Sequence, residues 1–374
     1  MSDLIRIAPG ALTIGKPLPW DVFDSDGNVL LRQGYVIQSD YQLDRLYERG
    51  QFKPRAIDRL KEPPTEELHT CNPFSEYADL LATLEATLDA ITSQEATAQR
   101  RLLDLSRLLE RICDQAPDAT LALVHLYSIN PNIYEQILFY GILCHLTAKQ
   151  FGLEHKRTTV LTAAALTANL ALVPVADQLN ASNHVLTTEQ RAVIRKHPQR
   201  SLQALEAAGI SNTFLMRTIA QHHEQYDGSG YPEGLVGADI LPEAEILALS
   251  ERYVAMITKR AYRSRMTITD ARKLLSVLGN SQFRPAVPQA LLAVLSSYPP
   301  GVLVRLANNE VGVVTKRASG PRGPIVKAII DAQDNHYNGV FERDTNNPEY
   351  AIAQLEEPEI MPSMDFSLIW EFRD

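Results

Sequence analysis

Two adjacent histidines, His222 and His223, are the residues whose chemistry and position most clearly indicate a binding site. They end a segment with helical apolar spacing and precede a glycine-rich loop. The loop residues are Asp227, Gly228, Ser229, Gly230, Tyr231 and Pro232. Neighbouring residues on a helix point about 100° apart, but at the end of a helix two imidazoles can converge on a metal ion. The glycines allow close backbone approach and Tyr231 offers a ring and a hydroxyl, so the segment predicts a binding site.

This segment resembles the HD-GYP family of cyclic di-GMP signalling proteins. The similarity includes Glu224 and Gly234, and it continues upstream to His197-Pro198 and downstream to Arg263. It covers residues 120–300 of the chain. The resemblance implies a helical bundle around a centre of two or three iron- or manganese-type ions that hydrolyses cyclic di-GMP. In such centres the metals lower the pKa of a bridging water and stabilise charge on the phosphate.

The residues that would complete this centre are missing from the sequence. The resemblance places the family's His-Asp pair at Ala168 and Asn169, and its catalytic lysine at Leu172. Between Arg157 and Asp177 the sequence contains no histidine, aspartate, glutamate, lysine or arginine. We therefore predict a catalytically degenerate site and assign no catalytic residue.

Two ligand positions on an earlier helix are also changed. The resemblance implies a glutamate and a histidine there, and this sequence has Asn132 and Gln136. His145 follows Gln136 by about 2.5 turns of helix, which puts it on the opposite face. We predict that His145 is a packed or surface histidine rather than a ligand.

The remaining candidate metal ligands are His197, His222, His223 and Glu251, where Glu251 takes the place of a family aspartate. Three imidazoles and a carboxylate suit one zinc-like divalent ion. They are too few for the two or three ions that the family uses. The sequence therefore predicts either one residual divalent metal ion or no tightly bound metal.

The nucleotide-binding side of the family site is better kept. The resemblance implies that Arg260 and Arg263 face the phosphates of cyclic di-GMP and that Tyr231 and Gly230 line the pocket. The two arginines are three residues apart and share a helix face, as a phosphate clamp requires. Two alternatives stay open: the arginines form a solvated helix end, and the loop 227–232 contacts a partner protein.

The elements that position these residues predict a mainly α fold. We expect an HD-GYP-like helical bundle with a small N-terminal α+β module, a long linking helix and a small C-terminal β appendage. Apolar residues in the linking helix alternate in steps of three and four, which fits a dimeric coiled coil or a helix, broken near Ser93, that packs against its own domain. The predicted domains are a strand-rich module at 1–52, a linker at 53–75, the long helix at 76–117, the helical domain at 118–298 and the β appendage at 299–374.

Local signals also place one helix in the N-terminal module. Ser39 is a typical N-cap for a helix that runs to Arg49. Gly50 is predicted to end this helix in the left-handed conformation. The turn-forming residues 24–28 separate two apolar stretches that we interpret as strands.

Composition limits the remaining classes of function. The chain has 45 acidic and 36 basic residues, a net charge of −9, which argues against a nucleic-acid-binding surface. Its apolar runs are shorter than the roughly 20 residues of a membrane span, and its start lacks a signal-peptide pattern, so we expect no membrane span and a cytoplasmic protein. Cys71, Cys113 and Cys144 form no CxxC pair and are interpreted as buried or idle thiols.

Three functions follow from the residues and the resemblance. The first is a cyclic di-GMP signalling protein without turnover, which binds the nucleotide or a partner such as a diguanylate cyclase. The second is an active metal-dependent cyclic di-GMP phosphodiesterase with a reduced metal site. The third is a nucleotide-independent scaffold that forms a homodimer. Whether the protein is an enzyme stays open, and the absence of the His-Asp pair and the lysine favours a non-enzyme.

Overall fold

The structure is a computed structural model that describes most of the chain. The described residues are 5–7, 12, 14–18, 20–24, 27–52, 71–176, 179, 187–259, 264–279, 281–358, 361 and 364–372. Most of the predicted linker lies outside these ranges, as do Arg260 and Arg263. The fold is mainly helical with a small β-sheet near the C-terminus, which confirms the predicted fold class.

The N-terminal residues form a small α+β unit with an apolar cluster of its own. Strands β1 (Ile5–Arg6), β2 (Val22–Phe23), β3 (Val29–Leu31) and β4 (Gln51–Phe52) make an antiparallel sheet in the order β1-β4-β2-β3, and helix α1 (Asp40–Arg49) precedes β4.

The ends of α1 test two predictions. The Ser39 hydroxyl accepts a hydrogen bond from the Gln42 amide at 3.3 Å, which confirms the N-cap. Gly50 has an extended backbone, with φ −81° and ψ 137°, so the predicted left-handed end is wrong. Glycine is required there for space instead, because a Cβ would lie 2.5 Å from the Leu46 carbonyl oxygen.

The segment 76–117, predicted as one long helix, contains two helices, α2 (Pro73–Thr92) and α3 (Ala98–Gln115). The chain turns between them, where Gln94 has a positive φ of 56°, and the two helices pack against each other. The apolar seam is buried inside the chain; its residues include Leu84, Leu88, Ile91, Leu102, Leu105, Leu109 and Ile112. The packing therefore corresponds to the alternative of a break near Ser93, and the seam is not free to form a dimeric coiled coil.

The other helices build a bundle around α5. They are α4 (Pro117–Leu126), α5 (Ile133–Phe151), α6 (His155–Thr167), α7 (Thr188–Ala207), α8 (Thr213–Gln221), α9 (Pro242–Ile257), α10 (Ile268–Leu278) and α11 (Ala286–Leu295), with a 3₁₀ helix at Leu170–Val175. Every residue of α5 from Gln136 to Ala148 is buried, as expected of a central helix. Contrary to the expectation that every apolar run is too short, the stretch His155–Val175 is long and apolar enough to cross a membrane, but 61% of its apolar window is buried inside the chain.

A five-stranded sheet follows the bundle and shares its core. Strands β5 (Leu303–Leu306), β6 (Val311–Lys316), β7 (Ile325–Ile330), β8 (His336–Asp344) and β9 (Ile352–Glu356) are antiparallel in the order β8-β7-β6-β5-β9, and the short helix α12 (Phe366–Ile369) comes last. Apolar residues of the sheet and of α12 belong to the same cluster as those of the bundle. The sheet is therefore packed on the helices, and the predicted domain bounds remain predictions.

Candidate functional site

Three buried or half-buried histidines meet where α7 approaches the end of α8. His197 lies on α7, His222 follows the last residue of α8, and His223 comes next. One ring nitrogen of each lies within 4.8 Å of the others, and the Nε2 atoms of His197 and His222 are 3.2 Å apart. The fold thus brings a histidine from one helix to the pair that ends another, as the sequence analysis expected.

Hydrogen bonds fix the ring tautomers of two of these histidines. Nδ1 of His197 lies 2.6 Å from the Ile194 carbonyl oxygen, and Nδ1 of His222 lies 2.6 Å from that of Ile219. A carbonyl can only accept, so each Nδ1 carries the hydrogen and each Nε2 keeps its lone pair. Two lone pairs therefore face each other across 3.2 Å.

The third histidine adds another unpaired nitrogen. Nε2 of His223 is buried and has no hydrogen-bond partner among the described residues. Burial lowers the pKa of His197 and of His222 to about 4, and it holds that of His223 well below its usual value. Neutral, converging imidazoles whose far nitrogens are held by carbonyls are the donor set that a divalent metal ion prefers. The residues present therefore fit a metal ion.

Glu251, the fourth candidate ligand, lies beside the histidines but already has a partner. One carboxylate oxygen is 3.7 Å from Nε2 of His222, while the other accepts a hydrogen bond from the Asn169 side-chain amide at 2.5 Å. Burial raises the pKa of Glu251 to about 7, and the electrostatic interaction with His197 and the hydrogen bond from Asn169 oppose this shift. Asn169 thus occupies one side of the carboxylate.

The residues that the resemblance places at the family's His-Asp pair have other contacts in the fold. Ala168 is completely buried, and its methyl group packs in the main apolar cluster. Asn169 contacts Glu251 as described, and Leu172 is half-buried in the following 3₁₀ helix. This part of the site offers a methyl group, an amide and an isobutyl group.

The two earlier positions also have structural roles. Asn132 is the N-cap of α5 and exchanges hydrogen bonds with Glu135, and the Gln136 amide donates to the Pro131 carbonyl at 3.1 Å. His145 is buried and its Nε2 lies 2.7 Å from an Asp114 carboxylate oxygen. Of the two interpretations of His145, the structure agrees with the packed one.

The loop after the histidines is held in place by Glu224. This buried carboxylate accepts hydrogen bonds from the amides of Glu233 at 2.7 Å, Gly234 at 3.2 Å and Leu235 at 2.9 Å. The loop therefore folds back onto its own beginning. Gly230 sits at this contact, where a Cβ would lie 2.3 Å from the Gln225 amide nitrogen.

Asp227 and Ser229 form a smaller turn within the loop. The Asp227 carboxylate accepts hydrogen bonds from the Ser229 amide at 3.0 Å and its hydroxyl at 2.6 Å. These bonds lower the pKa of Asp227. Gly228 between them has a φ of 80°, which favours glycine. Asp227 is therefore a loop-forming residue, and the structure does not bring it to the histidines.

Tyr231 connects the loop to the histidines. Its ring stacks on His223 with centroids 4.8 Å apart, and the guanidinium of Arg195 lies over the same ring at 4.9 Å. Arg252 is close enough to His223 for its charge to help lower the pKa of that histidine. Two cations thus lie beside the cluster, whereas the predicted phosphate-binding pair, Arg260 and Arg263, lies outside the described residues.

Sequence reasoning missed four of these residues. The family resemblance includes Glu224 but indicates no role for it, and the contact of Asn169 with Glu251 requires two helices to meet. Arg195 precedes His197 by two residues and Arg252 follows Glu251 directly. A basic residue next to a candidate ligand is a signal that could have found both arginines.

The chain is similar to a known protein family and to several curated proteins. A family model described as an HD domain matches residues 87–287, more than half of the chain. The chain belongs to the HD domain family. This match and the curated relatives, which are named as cyclic di-GMP phosphodiesterases, support the HD-GYP resemblance seen in the sequence. This family is metal-dependent, in agreement with the histidine cluster of this HD-GYP chain.

Three curated relatives each match part of the chain. Cyclic di-GMP phosphodiesterase response regulator RpfG of Xanthomonas campestris is 33% identical over 39% of this chain and 39% of its own length. Cyclic di-GMP phosphodiesterase PdeB of Borreliella burgdorferi is 25% identical over 51% and 50%. Cyclic di-GMP phosphodiesterase PA4108 of Pseudomonas aeruginosa is 27% identical over 54% and 48%. The chain thus spans about half or less of the length of these relatives.

A solved structure agrees with the fold. Bd1817, an HDG"Y"P protein from Bdellovibrio bacteriovorus, superposes with a TM-score of 0.58 at 18% identity. The match covers 78% of this chain and 98% of that chain. At this identity the similarity supports the helical HD-type architecture alone.

Proposed function

We propose that this HD-GYP protein acts in cyclic di-GMP signalling by binding the nucleotide, or a partner protein such as a diguanylate cyclase, without hydrolysing the nucleotide. The curated relatives are named as cyclic di-GMP phosphodiesterases, which supports the nucleotide. The loop 227–232 keeps the residues that carry the family resemblance, and the amides of Glu233, Gly234 and Leu235 directly after it bond to Glu224, which supports a binding role for it.

The observation that carries this proposal is the contact between Asn169 and Glu251. An aspartate at position 169 would offer a charged oxygen to a metal, whereas the amide donates its hydrogen to the carboxylate beside it. Ala168 is completely buried, so an imidazole at this position would have to displace packed neighbours. Forcing larger groups into a packed core in this way costs about 1 to 3 kcal/mol. The side of the site that would complete a multi-metal centre is therefore both neutral and filled.

We further propose that His197, His222 and His223 hold a single divalent ion. Such an ion would polarise phosphate oxygens and acidify a bound water. The described residues contribute neutral imidazoles, and Tyr231 covers the ring of His223. Because Glu251 is shared with Asn169, it is a weaker fourth ligand than a free carboxylate.

Recognition of an anionic nucleotide requires cations next to the loop. Arg195 and Arg252 supply positive charge beside the histidine cluster. Arg260 and Arg263 are proposed as the phosphate clamp from the family resemblance, and Tyr231 with Gly230 as the wall of the pocket. An Arg260→Ala variant should lose nucleotide binding, and an unchanged affinity would refute the clamp.

One experiment on the purified full chain tests the proposal. Metal content is measured by elemental analysis, cyclic di-GMP binding by calorimetric titration, and turnover by chromatography of the products. We expect at most one equivalent of metal, and saturable binding of nucleotide or of a diguanylate cyclase, with no product. Hydrolysis to the linear dinucleotide or GMP with one equivalent of metal would instead support the second function, and hydrolysis with two or more equivalents of iron or manganese would refute the proposal of a degenerate site.

That second function, an active phosphodiesterase with a reduced metal site, is favoured by the histidine cluster itself. Three imidazoles converge, each with one ring nitrogen within 4.8 Å of the others, as they would in a working metal centre. The third function, a dimeric scaffold, loses the seam on which it was based, because α2 and α3 bury that seam within one chain. A homodimer and a cytoplasmic location remain predictions.

A further inference from the structure

A second cavity lies where the end of the bundle meets the β-sheet. It has a volume of about 340 Å³ and is lined by α10, the end of α11 and strand β9. This volume is within the range of small-molecule sites, about 300 to 1,000 Å³. None of the histidine-cluster or loop residues lines it.

The α10 side of the cavity is polar along one helical face. Thr269, Arg272, Lys273 and Ser276 follow the i, i+3, i+4, i+7 spacing that puts side chains on the same side of a helix. In this helix the apolar residues Ile268, Ala271 and Leu275 point into the core instead. The cations and hydroxyls on the other face are therefore grouped at the cavity.

Arg272 has hydrogen-bonding capacity to spare. Its side chain is half-buried, and its Nη1 makes one long hydrogen bond, 3.4 Å, to the Leu292 carbonyl. No carboxylate forms an ion pair with it among the described residues. Burial without a counter-charge lowers the pKa of the guanidinium. A guanidinium has five donors in a fork that matches two oxygens of a phosphate or carboxylate.

The opposite wall supplies hydroxyls and apolar surface. Ser297 and Tyr298 line the cavity directly after α11, together with Leu292 and Leu355. Ser296, just before them, has the unusual backbone angles φ 54° and ψ −174° and donates its hydroxyl hydrogen to the Tyr298 carbonyl. Strained non-glycine residues of this kind occur most often at binding sites.

From this grouping we propose that the cavity binds a small organic phosphate monoester. Arg272 supplies donors for two phosphate oxygens and Ser297 supplies a hydroxyl donor. Lys273, whose Nζ already lies 3.4 Å from an Asp270 carboxylate oxygen, adds positive charge beside them. The ring of Tyr298 and the side chain of Leu355 cover the organic part. The site is independent of the histidine cluster, so it stands or falls apart from the proposed function.

The test is calorimetric titration of the full chain with adenosine 5′-monophosphate, inorganic phosphate and adenosine. A chelator is present throughout so that no metal at the histidines can hold phosphate. We expect the monophosphate to bind more tightly than inorganic phosphate, and adenosine not to bind. The proposal would be overturned if about 10 mM monophosphate does not saturate the protein; a dissociation constant of that size corresponds to a binding free energy of roughly 3 kcal/mol. Equal binding of adenosine would overturn the phosphate assignment.

Variants then locate the site. Arg272→Gln should weaken monophosphate binding about tenfold or more, since a charge-assisted hydrogen bond contributes about 1.5 to 3 kcal/mol. Arg272→Lys keeps the charge without the fork and should bind at an intermediate level. The matched control is Lys316→Gln, an exposed residue of β6 outside the cavity that changes the net charge equally. If Arg272→Gln and Lys316→Gln bind alike, the cavity is not the site; thermal midpoints of the variants confirm that each is folded.

Discussion

Glu224 offers the sharpest test of how the loop 227–232 is held. Its carboxylate accepts three backbone hydrogen bonds, two on one oxygen from Glu233 and Gly234 and one on the other from Leu235. Glu224→Gln keeps the size of the side chain but replaces one oxygen by an NH₂ group. If the amide oxygen faces Glu233 and Gly234, those two bonds are retained. The NH₂ group then points a donor at the backbone N–H of Leu235, which is itself a donor.

The expected magnitude follows from these contacts. Two charge-assisted bonds become neutral ones, a loss of about 1 kcal/mol each, and the third bond, worth about 2 kcal/mol, becomes a contact between two donors. The closed loop should therefore be destabilised by about 3 to 4 kcal/mol. Local opening with this free energy change should raise amide exchange in the loop by about a hundredfold or more.

Hydrogen exchange measured by mass spectrometry on peptides covering residues 224–240 checks this prediction. Glu233→Gln is the matched control, because it removes the same charge from an exposed residue of the same loop. It should exchange like the original protein. If the amides of Gly234 and Leu235 exchange equally slowly in both variants, Glu224 does not hold the loop and the reasoning is wrong.

Two further predictions concern stability. Burial lowers the pKa of His125 to about 4, so the folded protein binds fewer protons than the unfolded chain and loses stability as the pH falls from 6.5 towards 4. Between pH 7 and pH 5, the free energy of unfolding measured by urea denaturation should fall by about 2 kcal/mol more in the original protein than in His125→Gln. Equal losses in the two proteins would contradict this prediction. Glu310 accepts hydrogen bonds from Arg343 at 2.7 Å and from the Tyr337 hydroxyl at 2.5 Å, which lower its pKa to about 2. The contribution of the Glu310 carboxylate to folding stability is present above pH 4.5. In the same assay at pH 7, Glu310→Gln should therefore lower the free energy of unfolding by about 2 to 3 kcal/mol, whereas Glu349→Gln, at an exposed position, should cause no measurable change.

The sequence was informative wherever local spacing controls the outcome. The Ser39 N-cap and the apolar periodicity of the bundle depend on residues within a few positions of one another, and both agree with the structure. The segment 76–117 shows the limit of such reasoning. A heptad-like seam is equally compatible with a partner chain and with the chain's own core, so periodicity could predict burial but not which surface would supply it.

Gly50 shows a second limit. Glycine after a helix usually provides a left-handed residue, but here it is needed because strands β1 and β2 and the end of α1 come together around it. That requirement arises from residues distant in sequence. The same reason explains why the role of Glu224 was missed, since its three partners are backbone amides that any residue could supply.

The sequence by itself indicated the HD-GYP relationship and led to the prediction that the His-Asp pair is missing, because both depend only on which residues stand at which positions. The tertiary structure alone decided what these positions do. It joined Asn169 after the end of one helix to Glu251 inside another, closed the core around Ala168, and brought one ring nitrogen of each of three histidines within 4.8 Å of the others. Such contacts follow from the packing of helices far apart in the chain, which fixes distances that no local pattern encodes.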